Sequence, residues 1–341
     1  MSIFSALLGI FACGSGQNDL TANDFEVLLS EGEVSLVDVR TAEEYASGHI
    51  PGATNIDWYG QDFLSLFEAA VPKECPVAVY CRSGKRSSDA SAALVKAGYT
   101  VYNLKGGFIA WTEAGKKVNK YEVERFYTDS GLPVDITLIK HGTLAISYKG
   151  KWIQVDPVTE HGKHTDYPAE FPLADAILIT HEHGDHLDKA AIDTLMKEDT
   201  RLVLNQKSWD KIGEGAIMEN GDRGSLPGRV IIEAVPAYNT TEGREQFHPK
   251  GNGNGYVLSL DGLRIYIAGD TENIPEMAEL EDIDVAFLPV NQPYTMTVEQ
   301  CVAAASIIAP KVLIPYHFGQ TDLRSLPGRL PEIKVLLRDM E

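Results

Sequence analysis

The stretch ILITHEHGDHLD, residues 177–188, joins an apolar run to a cluster of residue types that bind metals. Residues 177–180 are β-branched or apolar and predict a buried strand. Imidazole and carboxylate ligands suit Zn²⁺ best, with iron or manganese as alternatives. A loop with ligands at i, i+2, i+4 and i+5 can direct two of them to one ion and two to a neighbouring ion. The four candidate metal ligands in this loop are His181, His183, Asp185 and His186.

Hairpin patterns lie on both sides of this stretch. The segment ITLIKHGTLAISYKGKWIQVDP, residues 136–157, predicts two or three strands with a turn at Lys149–Gly150. The segment YVLSLDGLRIYIAGD, residues 256–270, repeats the pattern with a turn at Asp261–Gly262. A helical segment, TVEQCVAAASIIA, and a further strand ending on a histidine follow. Paired hairpin sheets with helices outside them predict an αββα sandwich.

These motifs together resemble the metallo-β-lactamase superfamily over about residues 133–341. YIAGDTE resembles the family's strand that ends in a bridging aspartate, here Asp270, and LIPYHF resembles its last ligand, here His317. The segments at 139–157, 247–259 and 293–297 are closest to the lactonase and phosphodiesterase-like branch. The resemblance implies a dinuclear metal site, expected to hold two Zn²⁺ ions, with Fe or Mn as the alternative. Two such ions lower the pKa of a bound water toward ~7, so no separate nucleophilic residue is needed.

One ligand of this site is ambiguous in the sequence. The family's third histidine follows a strand, but the segment IIEAVPAYNTT supplies Asn239 at that place. An amide is a poor zinc ligand, so we favour His248, a few residues further along, and assign Asn239 to the second shell. His141 follows an apolar strand and is also predicted in the second shell, orienting a ligand or touching substrate. Asp185 is expected to serve in catalysis as well as in metal binding.

Other polar residues near these strands receive weaker assignments. His161 and His164 lie in a polar loop and are predicted to be solvated, with a role at the substrate rim left open. Asp156 is predicted to be structural or an acceptor behind the ligands. His49 is a poor metal candidate.

A second centre of chemistry is predicted around VAVYCRSGKRSS, residues 77–88. If 77–80 is a strand and Ser87 starts a helix, the loop between them places backbone N–H groups at a helix N-terminus, which binds anions. A thiol held there beside basic residues is expected to be a nucleophilic thiolate. Cys81 and Arg86 are separated by four residues, one fewer than in cysteine phosphatases, and this shorter loop suits a single bound sulfur atom. The predicted sulfur- or anion-binding loop consists of Arg82, Ser83, Gly84, Lys85 and Arg86.

The segment resembles a single-domain rhodanese, a sulfurtransferase family, over about residues 19–115. DVRTAEEYASGHIPGATNI, residues 38–56, is similar to the family's N-terminal signature, and LKGGFIAW, residues 104–111, to its C-terminal one. The resemblance implies that Cys81 is catalytic, carrying sulfane sulfur as a persulfide, and that Asp38 and Arg40 are structural. Cys75 and Cys301 are predicted to be unreactive, the latter within the core.

Composition bounds the domain organisation and the partners. The 341 residues carry a net charge of −19, which argues against nucleic acid as a partner. Four scattered cysteines indicate reduced thiols, and a cytoplasmic protein is expected. Residues 1–18 are either an apolar arm or a lipoprotein signal that anchors the chain to a membrane through Cys13. We predict a small α/β rhodanese-like domain with a parallel sheet at 19–116, a linker at 117–132 and a hydrolase domain at 133–341.

Three functions stay open from the sequence. The first is a metal-dependent hydrolase of a small molecule, fused to a sulfurtransferase that uses thiosulfate or a low-molecular-weight persulfide. The second is an iron-dependent persulfide dioxygenase fused to a rhodanese, and the third is a non-enzymatic sensor of sulfane sulfur. A mononuclear iron needs only two histidines and one aspartate, and the presence of Asp185, His186 and His317 as well favours a dinuclear hydrolase. The oligomeric state is not determined by the sequence.

Overall fold

A computed structural model describes residues 18–31, 34–119 and 121–340. The proposed signal or apolar arm, including Cys13, lies outside these residues except for Asn18. The chain divides into two compact units, residues 1–120 and 121–341. Among the described residues, no helix is both long and apolar enough to cross a bilayer.

The first unit contains a five-stranded parallel sheet in the order β1-β5-β4-β2-β3. The prediction of a small α/β domain with a parallel sheet is therefore confirmed. Its strands are β1 Asn18–Leu20, β2 Ser35–Asp38, β3 Thr54–Asn55, β4 Val77–Tyr80 and β5 Val101–Leu104. Its helices are α1 Ala22–Glu31, α2 Ala42–Ala46, α3 Phe63–Ala70, α4 Lys85–Lys96 and α5 Gly107–Glu113.

Helix α4 begins earlier than the sequence predicted. Its first residue is Lys85 rather than Ser87, and the residue that caps it is Gly84, with φ of 90°. Glycine adopts this left-handed conformation without a Cβ penalty, so the chain can turn sharply after Cys81 into the helix. The loop between β4 and α4 is therefore residues 81–84, and Lys85 and Arg86 belong to the first helical turn.

The start of helix α5 packs tightly against this loop. The amides of Phe108 and Ile109 donate to the carbonyl oxygens of Cys81 and Arg82, at 2.7 and 3.0 Å. A Cβ placed on Gly107 would lie 2.3 Å from the Cys81 carbonyl oxygen and 2.7 Å from the Gly84 nitrogen. Only glycine fits at this contact between the two segments.

We predict that Gly107→Ala lowers the stability of the first unit by about 3 kcal/mol, the sum of overpacking and a left-handed backbone. The control is Gly115→Ala, because Gly115 has a similar φ, 68° against 61°, but nothing within 4 Å of its Cβ position. That variant should lose only about 1 kcal/mol. Hydrogen exchange of peptides covering 77–113, measured in urea on the full chain, checks the difference. Equal losses in the two variants would contradict the packing argument.

The second unit contains two seven-stranded sheets. The first has the order β14-β13-β12-β9-β8-β7-β6 and the second β15-β16-β17-β18-β19-β20-β21. The strands of the first sheet are β6 Glu122–Tyr127, β7 Pro133–Lys140, β8 Thr143–Tyr148, β9 Lys151–Val155, β12 Ala176–Leu178, β13 Arg201–Leu204 and β14 Ala216–Ile217. Strands β10 Glu160–His161 and β11 Lys163–His164 form a separate small hairpin. The strands of the second sheet are β15 Arg223–Leu226, β16 Val230–Ala237, β17 Gly253–Leu260, β18 Leu263–Ile267, β19 Val285–Pro289, β20 Val312–Tyr316 and β21 Lys334–Val335.

Helices cover the two sheets of this unit. The helices are α6 Tyr167–Glu170, α7 Lys189–Leu195, α8 Gln206–Ile212, α9 Val298–Ile308 and α10 Leu326–Arg329, with 3₁₀ turns at Pro227–Arg229 and Pro275–Glu279. Helix α9 buries Cys301 and Ala304 against Ala286 and Leu288 of the second sheet. Helix α7 buries Ile192 in a cluster that contains Ile177 of the first sheet. The predicted αββα sandwich is confirmed.

The segment predicted to be a linker, 117–132, contributes a strand to this sandwich. Residues 122–127 form β6, which pairs antiparallel with β7 over six residues. The sequence KKVNKYEVERFY is polar because β6 lies at the edge of the sheet, where its side chains are partly exposed. Its backbone is nevertheless hydrogen-bonded to β7. An edge strand needs few apolar residues, and hydropathy alone therefore does not identify it.

Candidate functional site

The candidate metal centre of the second unit lies where strands of both sheets end. His181 follows β12, Asp270 follows β18 and His317 follows β20. The amide of Asn254 in β17 donates to the Thr180 carbonyl oxygen at 2.9 Å, which joins the sheets beside this point. Residues from segments far apart in the sequence therefore meet at one end of the sandwich.

Three residues other than glycine have a left-handed backbone at these strand ends. The φ angles of His141, Asp156 and His317 are 47°, 45° and 46°. Such conformations are uncommon for side chains with a Cβ and concentrate at functional sites, where the surrounding structure holds them. Each of these residues turns its side chain toward the same cluster.

A first group of donors consists of His181, His183 and His248, whose ligand atoms lie within 4.8 Å of one another. The His181 Nε2 and His183 Nδ1 atoms are 3.0 Å apart. Asp270 Oδ2 lies 3.2 Å from His248 Nε2 and 3.9 Å from His181 Nε2. Together with the neighbouring Asp270, this group offers three imidazoles and one carboxylate.

A second group consists of Asp185, His186, His317 and His141, again within 4.8 Å of one another. Asp270 is adjacent to this group too, with Oδ1 3.4 Å from His186 Nε2 and Oδ2 3.3 Å from His317 Nε2. The Asp185 Oδ2 atom lies 3.7 Å from His317 Nε2. Asp270 thus contacts both groups, the place that a bridging ligand occupies.

The hydrogen bonding of these residues fits bound cations. His186 Nε2, His248 Nε2, His317 Nε2 and Asp270 Oδ1 are buried without a hydrogen-bond partner. A buried polar atom without a partner costs on the order of 1–3 kcal/mol, and four of them face one another here. Two divalent ions shared by these donors would satisfy all four atoms.

Two of the donors, His181 and Asp270, already have the protonation states that metal binding requires. Burial, together with the neighbouring His186, lowers the pKa of His181 well below its usual value, so its imidazole is neutral. Burial opposes the charged form of Asp270, but His317 and His186 outweigh it and hold the pKa of this carboxyl well below its ordinary range. Neutral imidazole and ionised carboxylate are the forms that coordinate metals. Burial opposes the charged form of His186, but Asp270 and Asp156 outweigh it and raise the pKa of this imidazole to about 10, so His186 must lose a proton to bind a metal.

Asp156 and Thr180 orient two of these histidines from behind. Asp156 Oδ2 lies 2.7 Å from His186 Nδ1, and it accepts a hydrogen bond of 2.6 Å from the Thr180 hydroxyl. The Thr180 hydroxyl is in turn 3.0 Å from His181 Nδ1. Each histidine therefore presents Nε2 to the cluster, as a carboxylate behind a metal-binding imidazole usually ensures. Thr180 was missed in the sequence, where its position directly before His181 was the only signal.

We predict that Asp156→Asn lowers metal affinity by about 10–100-fold, because the ring of His186 loses its orienting carboxylate. The matched control is Asp135→Asn. Asp135 is equally buried in the same unit, but it pairs with Arg125 and lies outside both donor groups. Titration of the metal-free variants with Zn²⁺ measures the effect. Equal affinities in the two variants would contradict an orienting role for Asp156.

The structure places His248 and Asn239, the two candidates for the third ligand, in different surroundings. His248 belongs to the first donor group, whereas the Asn239 amide donates to the carbonyl oxygens of Tyr294 and Arg244. The Asn239 backbone N–H also donates to the His248 carbonyl oxygen at 2.9 Å. Asn239 therefore holds the segment that carries His248.

The remaining histidines occupy different places. The rings of His161 and His141 are 4.1 Å apart, so His161 lies beside the second donor group, and His164 is exposed and pairs with Glu160. His49 is in the first unit, stacked on Tyr45, and burial lowers its pKa to about 4. The sequence predicted only a supporting role for His141, but its side chain lies within the second donor group.

In the first unit, Cys81 is buried at the end of β4, with 1% of its surface exposed. The Gly84 N–H donates to Cys81 Sγ at 3.2 Å, and the Ser87 hydroxyl does so at 3.4 Å. These are the donors that a negatively charged sulfur at this position requires. The side chains of Arg82, Ser83 and Lys85 are exposed around the loop.

Arg86 is less available to an anion than the sequence suggested. Its guanidinium makes a two-pronged ion pair with Glu44, at 2.7 and 2.8 Å, and this hydrogen bonding lowers the pKa of Glu44 to about 2. The structural roles of Asp38 and Arg40 appear as a buried ion pair of 2.6 Å beneath the loop. Cys75 is half-buried, and burial in the α9 core raises the pKa of Cys301 to about 12.

Comparison with protein families assigns both units. Residues 21–114 match the rhodanese-like domain, and residues 135–317 match the beta-lactamase superfamily domain. The chain thus combines a rhodanese-like domain with a domain of the metallo-β-lactamase fold. It belongs to the UPF0173 metal-dependent hydrolases of the beta-lactamase superfamily. The two resemblances found in the sequence are confirmed.

Individual relatives support this assignment. A UPF0173 metal-dependent hydrolase from Ligilactobacillus salivarius is 33% identical over 193 residues, which cover 54% of this chain and 84% of that protein. The crystal structure of a protein from Parabacteroides distasonis, described as a metal-dependent hydrolase, is 52% identical with a TM-score of 0.63 and covers 65% of this chain and 100% of its own. Igni18, a metallo hydrolase from Ignicoccus hospitalis, is 25% identical with a TM-score of 0.51 and covers 61% of this chain and 95% of its own.

Proposed function

We propose that the second unit is a dinuclear zinc hydrolase of a small molecule, and that the first unit is a sulfurtransferase that carries sulfane sulfur on Cys81. The observation that carries the hydrolase proposal is the position of Asp270, whose oxygens lie 3.2–3.4 Å from imidazoles of both donor groups. In this proposal His181, His183 and His248 would hold one ion and Asp185, His186 and His317 the other, with Asp270 near enough to contribute to both.

Bound zinc would supply a water that is deprotonated near neutral pH and would stabilise negative charge developing on the substrate. The chain's own residues prepare the site for this chemistry. Asp156 and Thr180 fix the imidazole rings, and the surrounding burial excludes bulk water. Because the donors are preorganised, little reorganisation is needed during reaction.

Substrate is proposed to approach beside Asp185. The Asp185 side chain is 32% exposed, whereas those of Asp270 and His317 are 4% and 2% exposed. Burial opposes ionisation of Asp185, but the hydrogen bond with His141 and the nearby imidazoles of His317 and His186 outweigh it and depress the pKa of the carboxyl. Asp185 therefore stays a carboxylate and serves as a ligand that faces substrate rather than as a proton donor.

The sulfurtransferase proposal rests on the loop around Cys81. A buried thiol with donors aimed at its sulfur, enclosed by exposed basic residues, suits an anionic sulfur donor such as thiosulfate or a low-molecular-weight persulfide. The acidic chain, with net charge −19, disfavours nucleic acid as a partner.

Elemental analysis of protein purified without added metal tests the hydrolase proposal. We expect two equivalents of zinc per chain, and hydrolysis of a panel of lactone and phosphodiester substrates that a chelator abolishes and zinc restores. One equivalent of iron, with oxygen consumed in the presence of glutathione persulfide, would instead establish the dioxygenase. Among the described residues, His181, His186 and Asp270 form a set of two histidines and one carboxylate, which suffices for a mononuclear iron. The further donors around this set exceed that need, and this favours two ions and hydrolysis.

A further inference from the structure

We infer that His141 is itself a ligand of the second metal position, as a fifth side chain beside Asp185, His186, His317 and the bridging Asp270. This inference rests on the proposed dinuclear function and extends it. The expected ion is a first-row divalent metal, because the added donor is an imidazole.

The backbone of His141 is held in place from two sides. Its carbonyl oxygen accepts a hydrogen bond of 3.2 Å from the His317 N–H, and its own N–H donates to the Met340 carbonyl oxygen. His141 and His317 both have φ near 46°. The ends of β7 and β20 are thus tied together, and both side chains turn to the same side.

The next residue brings this turn against the second donor group. A Cβ on Gly142 would lie 2.6 Å from Cε1 of the His186 ring and 3.0 Å from its Nδ1. Only a residue without a side chain allows the turn to approach so closely. The close approach places the His141 side chain next to His186 as well as His317.

The imidazole ring of His141 is buried and oriented. Its centroid is 3.7 Å from that of His317 and 4.1 Å from that of His161, and 5% of the residue is exposed. These neighbours leave its Nε2 atom 3.3 Å from Asp185 Oδ2. Donors bound at about 2.1 Å to one five-coordinate ion lie roughly 3.0–3.6 Å apart. The His141–Asp185 separation therefore suits two ligands of one ion.

The competing explanation is that His141 only donates a hydrogen bond that orients Asp185. Both explanations allow the same 3.3 Å separation. They differ in what a glutamine at this position would do. Its amide donates a hydrogen bond to a carboxylate but is a weak metal ligand, so it would replace the orienting role and not the ligating one.

The test compares His141→Ala and His141→Gln with His164→Ala, a control at an exposed histidine outside both donor groups. Metal-free protein is titrated with Co²⁺, and the number of bound ions, their affinities and the visible absorption spectrum are measured. We expect two ions in the wild type and in the control. In both His141 variants the second ion should bind more than ~100-fold more weakly, beyond the effect of losing an outer contact.

Retention of the first ion in these variants shows that they are folded, because the His181, His183 and His248 group is intact. His141→Asn repeats the measurement with a residue type that tolerates a left-handed backbone. Wild-type binding and spectrum in His141→Gln would overturn the inference and leave only the orienting hydrogen bond. Two tightly bound ions in His141→Ala would overturn the inference about His141 and leave the proposed dinuclear function intact. Fewer than two ions in the wild type would overturn both.

Discussion

Asp270→Asn is expected to abolish metal-dependent hydrolysis, lowering kcat/KM on the order of 10³-fold or more. Asp270 lies within 3.4 Å of His248, His186 and His317, and it is the residue that contacts both donor groups most closely. Asparagine keeps the shape of the side chain but removes its negative charge and replaces a strong ligand by a weak one. Both metal positions should therefore weaken together.

The measurement is the number of zinc equivalents after dialysis, together with the hydrolysis rate. The control is Asp284→Asn. Asp284 is a largely buried carboxylate that accepts a hydrogen bond of 2.7 Å from the Arg264 N–H, away from the donor groups. It should keep both ions and the wild-type rate. A full complement of zinc in Asp270→Asn would contradict the bridging role.

Cys81→Ser is expected to reduce sulfur transfer from thiosulfate to cyanide to the background rate. In the proposed reaction the Cys81 thiolate attacks the sulfane sulfur of thiosulfate, the S–S bond breaks and sulfite leaves. Cyanide then attacks the outer sulfur of the persulfide, forming thiocyanate and returning the thiolate. A serine hydroxyl cannot carry this sulfur, although it fits the same space.

Thiocyanate formation measures this activity, and hydrolysis by the second unit should be unaffected. Cys75→Ser is the matched control, because Cys75 is in the same unit but is half-buried, with its sulfur accepting a hydrogen bond from the Ser35 hydroxyl. It should retain transfer. Persisting transfer in Cys81→Ser would exclude Cys81 as the carrier. Absence of transfer in the wild type as well would favour the sensor function instead.

Much of the fold was predictable because its elements have strong local patterns. The strands of the sandwich alternate with turns at Lys149–Gly150 and Asp261–Gly262, where the structure has positive φ angles. The edge strand β6 was missed because its polar sequence does not indicate a strand. It is extended because its backbone pairs with β7. The early start of α4 was missed because its cap is Gly84, in a left-handed conformation, and no capping side chain marks the start of the helix in the sequence.

The site divides in the same way. Sequence alone determined the residue types that can bind metal at 181–186, and the thiol after β4, because these chemical groups lie close together along the chain or directly after a strand. Tertiary structure alone decided that His248 lies with His181 and His183, that Arg86 is paired with Glu44, and that His141 joins the second group. The physical reason is that these contacts depend on distances of a few ångströms between segments that lie from about forty to more than a hundred residues apart. Those distances arise only when two sheets pack and their strand ends meet.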